Sequence, residues 1–183
     1  MSHGRIVLWT ACFLWLSCAA LGCIAFSQNA QELPKIEGET FAGRRITLPD
    51  AAYGKVTVFI LGFTKASKTA TGAWSAKISK DFKDQAGFEL YQLPVLEDVP
   101  RLFRGMVVSG IKKGTPEADR DHFVPVLQGE AELKKAVNYN QADDAYVVVL
   151  DRAGKMVEQL HGPDNDSQYG ALREKIRSLL NQK

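Results

Sequence analysis

The chain has 183 residues, 45% of them hydrophobic, with 23 Lys and Arg against 21 Asp and Glu and a formal charge of +2. That balance argues against nucleic acid as the main partner, because such binding calls for a net basic face. All three cysteines, Cys12, Cys18 and Cys23, lie near the start, so the remainder must hold itself together by its core, without disulfides.

The run from Ile6 to Phe26 carries no charge and follows Arg5. It reads as an export leader, with small residues at Ala25 and Ser27 suited to cleavage. Its length also suits an uncleaved membrane anchor, since about 20 apolar residues span a bilayer. Cys23, after Ala20-Leu21-Gly22, allows a third reading, lipidation. All three make residues 1–27 a signal peptide or anchor. They place residues 28–183, one domain, outside the cytoplasm, periplasmic or tethered and facing the exterior.

Residues 28–54 read as an exposed lead and a small strand or hairpin through Phe41, Gly43 and Ile46-Thr47-Leu48. Val56 to Phe63 is a continuous apolar run, the mark of a strand covered on both faces. A helix is predicted from Lys68 to Gln85, with Trp74, Ile78 and Phe82 on one stripe and Gly87 ending it. Phe88 to Leu96 is a second strand that Pro94 interrupts. Leu102, Phe103, Met106, Val107 and Ile111 recur at helical spacing across residues 99–111, closed by Gly110 and Gly114. Thr115 and Pro116 are the expected cap and first residue of another short helix. His122 to Leu127 is a turn or brief strand, and Glu130 to Val137 a short helix. Tyr146–Leu150 and Lys155–Leu160 are expected to form a hairpin around Asp151-Arg152-Ala153-Gly154. Tyr169, Leu172, Ile176, Leu179 and Leu180 mark a closing helix begun by Asp166 or Ser167.

A βαβ unit followed by a hairpin and a terminal helix gives an α/β three-layer sandwich: a mixed four- to five-strand sheet with helices on both faces. Two segments give this order a family likeness. Gly54 to Thr69 resembles the strand and Cys-x-x-Cys opening of exported thiol oxidoreductases, and Ala145 to Gly154 resembles their later strand-Asp-x-x-Gly hairpin. The chain thus resembles the thioredoxin-like superfamily, including its peroxiredoxin-like members. A narrower resemblance, carried by Trp74, Asn138 or Asn140, Tyr146 and Asp151, is to the thioredoxin-like mitochondrial ATP synthase assembly factor. That family's Arg-Trp pair is replaced here by Met156-Val157-Glu158.

What the likeness implies about chemistry is a loss. Ala66-Ser67-Lys68-Thr69 occupies the dithiol position, and Ala145 the place of the cis-proline that faces it. Non-proline residues essentially never adopt cis bonds. Shifting the register by one puts Ser67 at the reactive position of a Thr-x-x-Cys, but a serine cannot cycle through sulfenic acid. The expectation is a redox-inactive binding or assembly module whose old active-site positions are Ala66, Ser67, Lys68, Thr69 and Ala145. Its recognition surface would comprise Thr64, Lys65, Lys68, Asp143 and Asp144, meeting a protein or peptide. The alternative is a thiol-disulfide oxidoreductase or peroxidase relative that takes its thiol from elsewhere, with Cys12, Cys18 and Cys23 the only sources within the chain.

Plainer readings stand beside these. Trp74 on its stripe reads as core before it reads as a partner contact, and Lys65 and Lys68 first read as a solvated loop. Asp119-Arg120-Asp121-His122, Asp143-Asp144 and His161 near Asp164-Asn165-Asp166 lack the spacing of a ligand set, so neither a metal nor a cofactor is predicted. No glycine-rich phosphate loop follows a strand, and no Ser–His–acid set can be assembled from the residues alone.

Overall fold

The computed structural model describes residues 32–182; the predicted leader, residues 1–27, lies outside them. Strands β1 (Ile36–Glu39) and β2 (Arg45–Leu48) form an antiparallel hairpin. Strand β3 (Val56–Gly62), helix α1 (Lys68–Phe82) and strand β4 (Phe88–Pro94) make the βαβ unit, with β3 and β4 parallel. Helices α2 (Arg101–Gly114) and α3 (Glu130–Ala136) follow, then β5 (Ala145–Leu150), β6 (Met156–Gly162) and α4 (Asp166–Asn181). The main sheet runs β4-β3-β5-β6, with β5 antiparallel to both of its neighbours.

The central strands explain the shape. Every residue from Val56 to Leu61 and from Ala145 to Leu150 is buried, as continuous apolar strands require when both faces are covered. Because strand side chains alternate, each strand feeds two cores. Val58, Ile60, Val147 and Val149 meet Trp74, Ile78 and Phe82 of α1 and Leu172 and Ile176 of α4. Phe59, Leu61, Tyr146 and Val148 face the opposite core with Leu33, Ile36, Ile46 and Leu48 around the hairpin, and Leu133 and Val137 at α3. Trp74 has no exposed surface, and its indole Nε1–H donates to the Gly162 carbonyl at 3.1 Å. It is core.

Local chemistry sets the element ends. Asp151 Oδ1 accepts from the Ala153 and Lys155 amides at 2.9 Å each, and Gly154, at φ +75°, closes the β5–β6 turn. A Cβ there would lie 2.5 Å from the Tyr53 ring, so glycine is required. The closing helix starts at Asp166 with Asn165 as its cap, accepting from the Gln168 amide at 2.8 Å. Helix α1 ends at Phe82, three residues before the predicted end.

Two expectations need correction between β4 and β5, the bounds of the first helix there and the Thr115 cap. Helix α2 begins after Pro100 and runs straight through Gly110. Thr115 does not cap the next segment: its hydroxyl donates back to the Ile111 carbonyl at 2.9 Å, closing α2, and Glu117–His122 is a 3-10 turn behind Pro116. Residues 123–126 run along β4, with the Val124 amide donating to Gln92 O and the Val126 amide to Pro94 O, so they cover the edge of the sheet.

Candidate binding site at the end of β3

The ends of β3 and β5 meet because the strands pair antiparallel, with Leu61 opposite Tyr146. Thr64 and Ala142, far apart in sequence, are joined there. Thr64 Oγ1 donates to the Ala142 carbonyl at 2.7 Å and accepts from the Ala66 and Ser67 amides at 3.1 and 3.4 Å. One donor and two acceptor sites are all a hydroxyl offers, so Thr64 is fully used as a stitch between the loops. From the other side, Tyr146 Oη accepts from the Asn140 and Gln141 amides at 2.9 Å each.

Around this seam the predicted residues separate into two sets. Lys65, Ala66, Lys68, Thr69 and Asp143 are exposed, and neither Lys65 nor Lys68 forms an ion pair among the described residues. Ser67 is buried, and its hydroxyl donates to the Thr64 carbonyl at 2.9 Å. It sits over Gly62, where a Cβ would approach the Ser67 Oγ to 2.7 Å. Ala145 is buried as the first residue of β5, and the one cis peptide among the described residues is Leu48–Pro49.

Asp144 is placed differently from the sequence expectation. Its side chain is only 15% exposed, and Oδ2 lies 2.7 Å from His161 Nδ1. The carboxylate is engaged within the domain by the imidazole of the neighbouring strand. His161 stacks on Tyr146, with centroids 5.6 Å apart and planes 19° apart. Tyr146 also packs edge-to-face with Phe63 and at a tilt of 32° against Tyr139. This aromatic group carries a cation: Lys134 Nζ stands 4.9 Å from the Tyr139 centroid and 5.9 Å from that of Phe63. The same ammonium pairs with Glu130 Oε1 at 2.6 Å and Asp98 Oδ2 at 3.3 Å. Hydrogen bonding to Glu130 holds it above the usual lysine range, against the opposing cost of burial.

Sequence reasoning missed Lys134, Tyr139 and His161. The only early signal was Asp144-x-Tyr146, two residues that share a face of a strand. Chemically, the seam holds no thiol at residues 66–69. Ser67 lacks the adjacent base that activates a serine nucleophile, its hydroxyl being committed to a backbone carbonyl. His161 engages Asp144 and Tyr146 instead.

Several solved structures superpose on this fold. BsSco, a member of the Sco family of cytochrome c oxidase assembly proteins, superposes with a TM-score of 0.58 at 12% identity, over 83% of this chain and 95% of that one. The fold is thioredoxin-like. The thioredoxin domain of a thiol-disulfide oxidoreductase from Bacteroides vulgatus matches at TM-score 0.55 and 18% identity, over 80% of this chain and 96% of its own. The exposed lipoprotein thioredoxin of Streptococcus pneumoniae gives 0.55 and 13%, over 80% and 100%. No protein-family model and no curated protein matches the chain. Ala66–Thr69 spans the loop after β3 and the start of α1, and Ala145 opens β5.

Proposed function

We propose that the domain is a redox-inactive thioredoxin-like binding or assembly module acting outside the cytoplasm. The observation that carries the reading is the Thr64 stitch. The residues at the dithiol position are not thiols, and the hydroxyl beside them is spent on fixing the loop rather than on chemistry. What the seam leaves exposed is Lys65, Lys68 and Asp143, beside the start of α1. An extended protein or peptide segment suits such a site, since a loop, a strand end and a helix start offer it backbone and charged contacts. Export rests on the uncharged run Ile6–Phe26, and the exposed lipoprotein from Streptococcus pneumoniae is a thioredoxin-like protein in keeping with it. An assembly role is in keeping with the Sco likeness.

Insulin-disulfide reduction and peroxide consumption test this on the full chain and on its C12S/C18S/C23S variant. Background rates for both are expected. Turnover by the wild type alone would establish the alternative, a thiol borrowed from the leader. For the surface, a photo-crosslinker at Lys68 should capture a partner in envelope extract that one at Lys155 does not. Equal capture at both positions would remove the seam as the recognition site.

A further inference from the structure

Helix α2 is built against the usual rule for a surface helix. None of its residues is buried, and its largest apolar side chains point outward: Leu102 is 86% exposed, Met106 68% and Phe103 49%. Leu102 and Met106 lie one turn apart and so make one stripe. The helix contains no acid. Its cations divide in two. Arg104 turns in, donating to the Val99, Leu127 and Glu97 carbonyls and pinning the first turns to the domain. Arg101, Lys112 and Lys113 are exposed and form no ion pair among the described residues.

From these features we propose that α2 is a membrane-surface contact, laying Leu102, Phe103 and Met106 into the interfacial layer of an anionic bilayer while Arg101, Lys112 and Lys113 meet lipid phosphates. Exposed apolar side chains flanked by unpaired cations are what an interfacial helix requires. A soluble acidic protein would satisfy the charge but would not by itself call for bare Leu102 and Met106. The chain outside the described residues favours the same occupant. Its uncharged run Ile6–Phe26 stops six residues before Glu32, and an apolar run of that length partitions into lipid. A short connection would hold the domain near the bilayer at high effective concentration. The contact goes beyond the binding reading above and does not depend on it. It also carries a geometric consequence. Arg104 holds Glu97, the Glu97 carboxylate accepts from the Glu130 amide at 2.6 Å, and Lys134 of the same helix lies over Phe63. A continuous chain of contacts thus joins the lipid-facing helix to the seam.

The test uses the full chain with Cys12, Cys18 and Cys23 replaced by serine and Met106→Cys labelled with an environment-sensitive dye; Lys155→Cys is the control. Vesicles of phosphatidylglycerol should blue-shift the Met106 label and bring it within reach of nitroxide-lipid quenching. Phosphatidylcholine vesicles should do so far less, and the Lys155 label should not respond. Replacing Arg101, Lys112 and Lys113 with glutamine should abolish the difference between the two lipids. A Met106 label that behaves in phosphatidylglycerol like the Lys155 control overturns the proposal. So does a label that responds to polyglutamate but not to vesicles, or a blue shift that grows with protein concentration in the absence of lipid. The readout is independent of thiol turnover, so this proposal and the redox-inactive reading fail separately.

Discussion

Helices α1 and α2 begin from the same kind of sequence signal and end in opposite situations. Both carry large apolar residues at helical spacing, Trp74, Ile78 and Phe82 in one and Leu102, Phe103, Met106 and Ile111 in the other. Helix α1 crosses between parallel strands and is pressed onto the sheet, burying its stripe completely. Helix α2 follows the edge strand β4, where the hairpin and residues 123–126 already cover the sheet. It meets the domain mainly through Arg104 and a cleft lined by Gly38, Val108, Lys112, Pro125 and Leu127. Apolar periodicity shows that a helix has a face to cover; the neighbours decide what covers it.

The contrast is sharpest in a pair of truncations. Trp74→Ala removes a fully buried indole and its bond to Gly162, and should cost about 3–5 kcal/mol in urea unfolding. Leu102→Ala should stay within about 0.5 kcal/mol; a loss above about 1 kcal/mol would mean that Leu102 is covered in the folded protein. Gly62→Ala probes the α1 side at the seam. The new Cβ collides with Ser67 Oγ, and about 1–3 kcal/mol should be lost. Adding Ser67→Ala should recover part of that loss, and full additivity would break the contact assignment. On the α2 side, Arg104→Ala frees three carbonyls and should cost roughly 1–2 kcal/mol. Amide exchange should accelerate within α2 while α1 stays protected.

The smallest effect is one of pH. Arg44, in the turn of the first hairpin, grips Asp121 just beyond α2, with contacts of 2.9–3.1 Å to both carboxylate oxygens. That guanidinium holds the Asp121 carboxyl below its usual range. A depressed carboxylate contributes stability above its unfolded pKa of about 3.9 and loses it as pH falls through the lower folded value. Asp121→Asn should therefore reduce stability modestly at neutral pH and flatten its decline below about pH 4. An unchanged acid limb would show that the clamp is too exposed to matter.

The seam was half legible. Ala66 to Thr69 and Ala145 were singled out because an apolar strand before a loop and an Asp-x-x-Gly turn are local patterns, written in consecutive residues. His161 was not, because its place depends on a bulge. Leu150 pairs with Met156, but the register shifts by one before Val149 meets Glu158. Counted outward from the turn without that shift, Tyr146 would face Leu160. One extra residue instead turns His161 onto Tyr146 and Asp144. Lys134 and Glu130 escaped notice for a related reason: nothing along a short helical stretch marks them, and only the packing of α3 against Phe63 gives them their setting.

By itself the sequence determined the order of the elements, the doubly covered central strands, the core role of Trp74 and the absence of cysteine after Cys23. These follow from residue type and spacing along one stretch of chain. Tertiary structure decided that Thr64 binds Ala142, that Asp144 turns away from solvent, and that the apolar stripe of α2 is left bare. Each depends on which surfaces the fold brings together or leaves without a partner, and no local pattern carries that information.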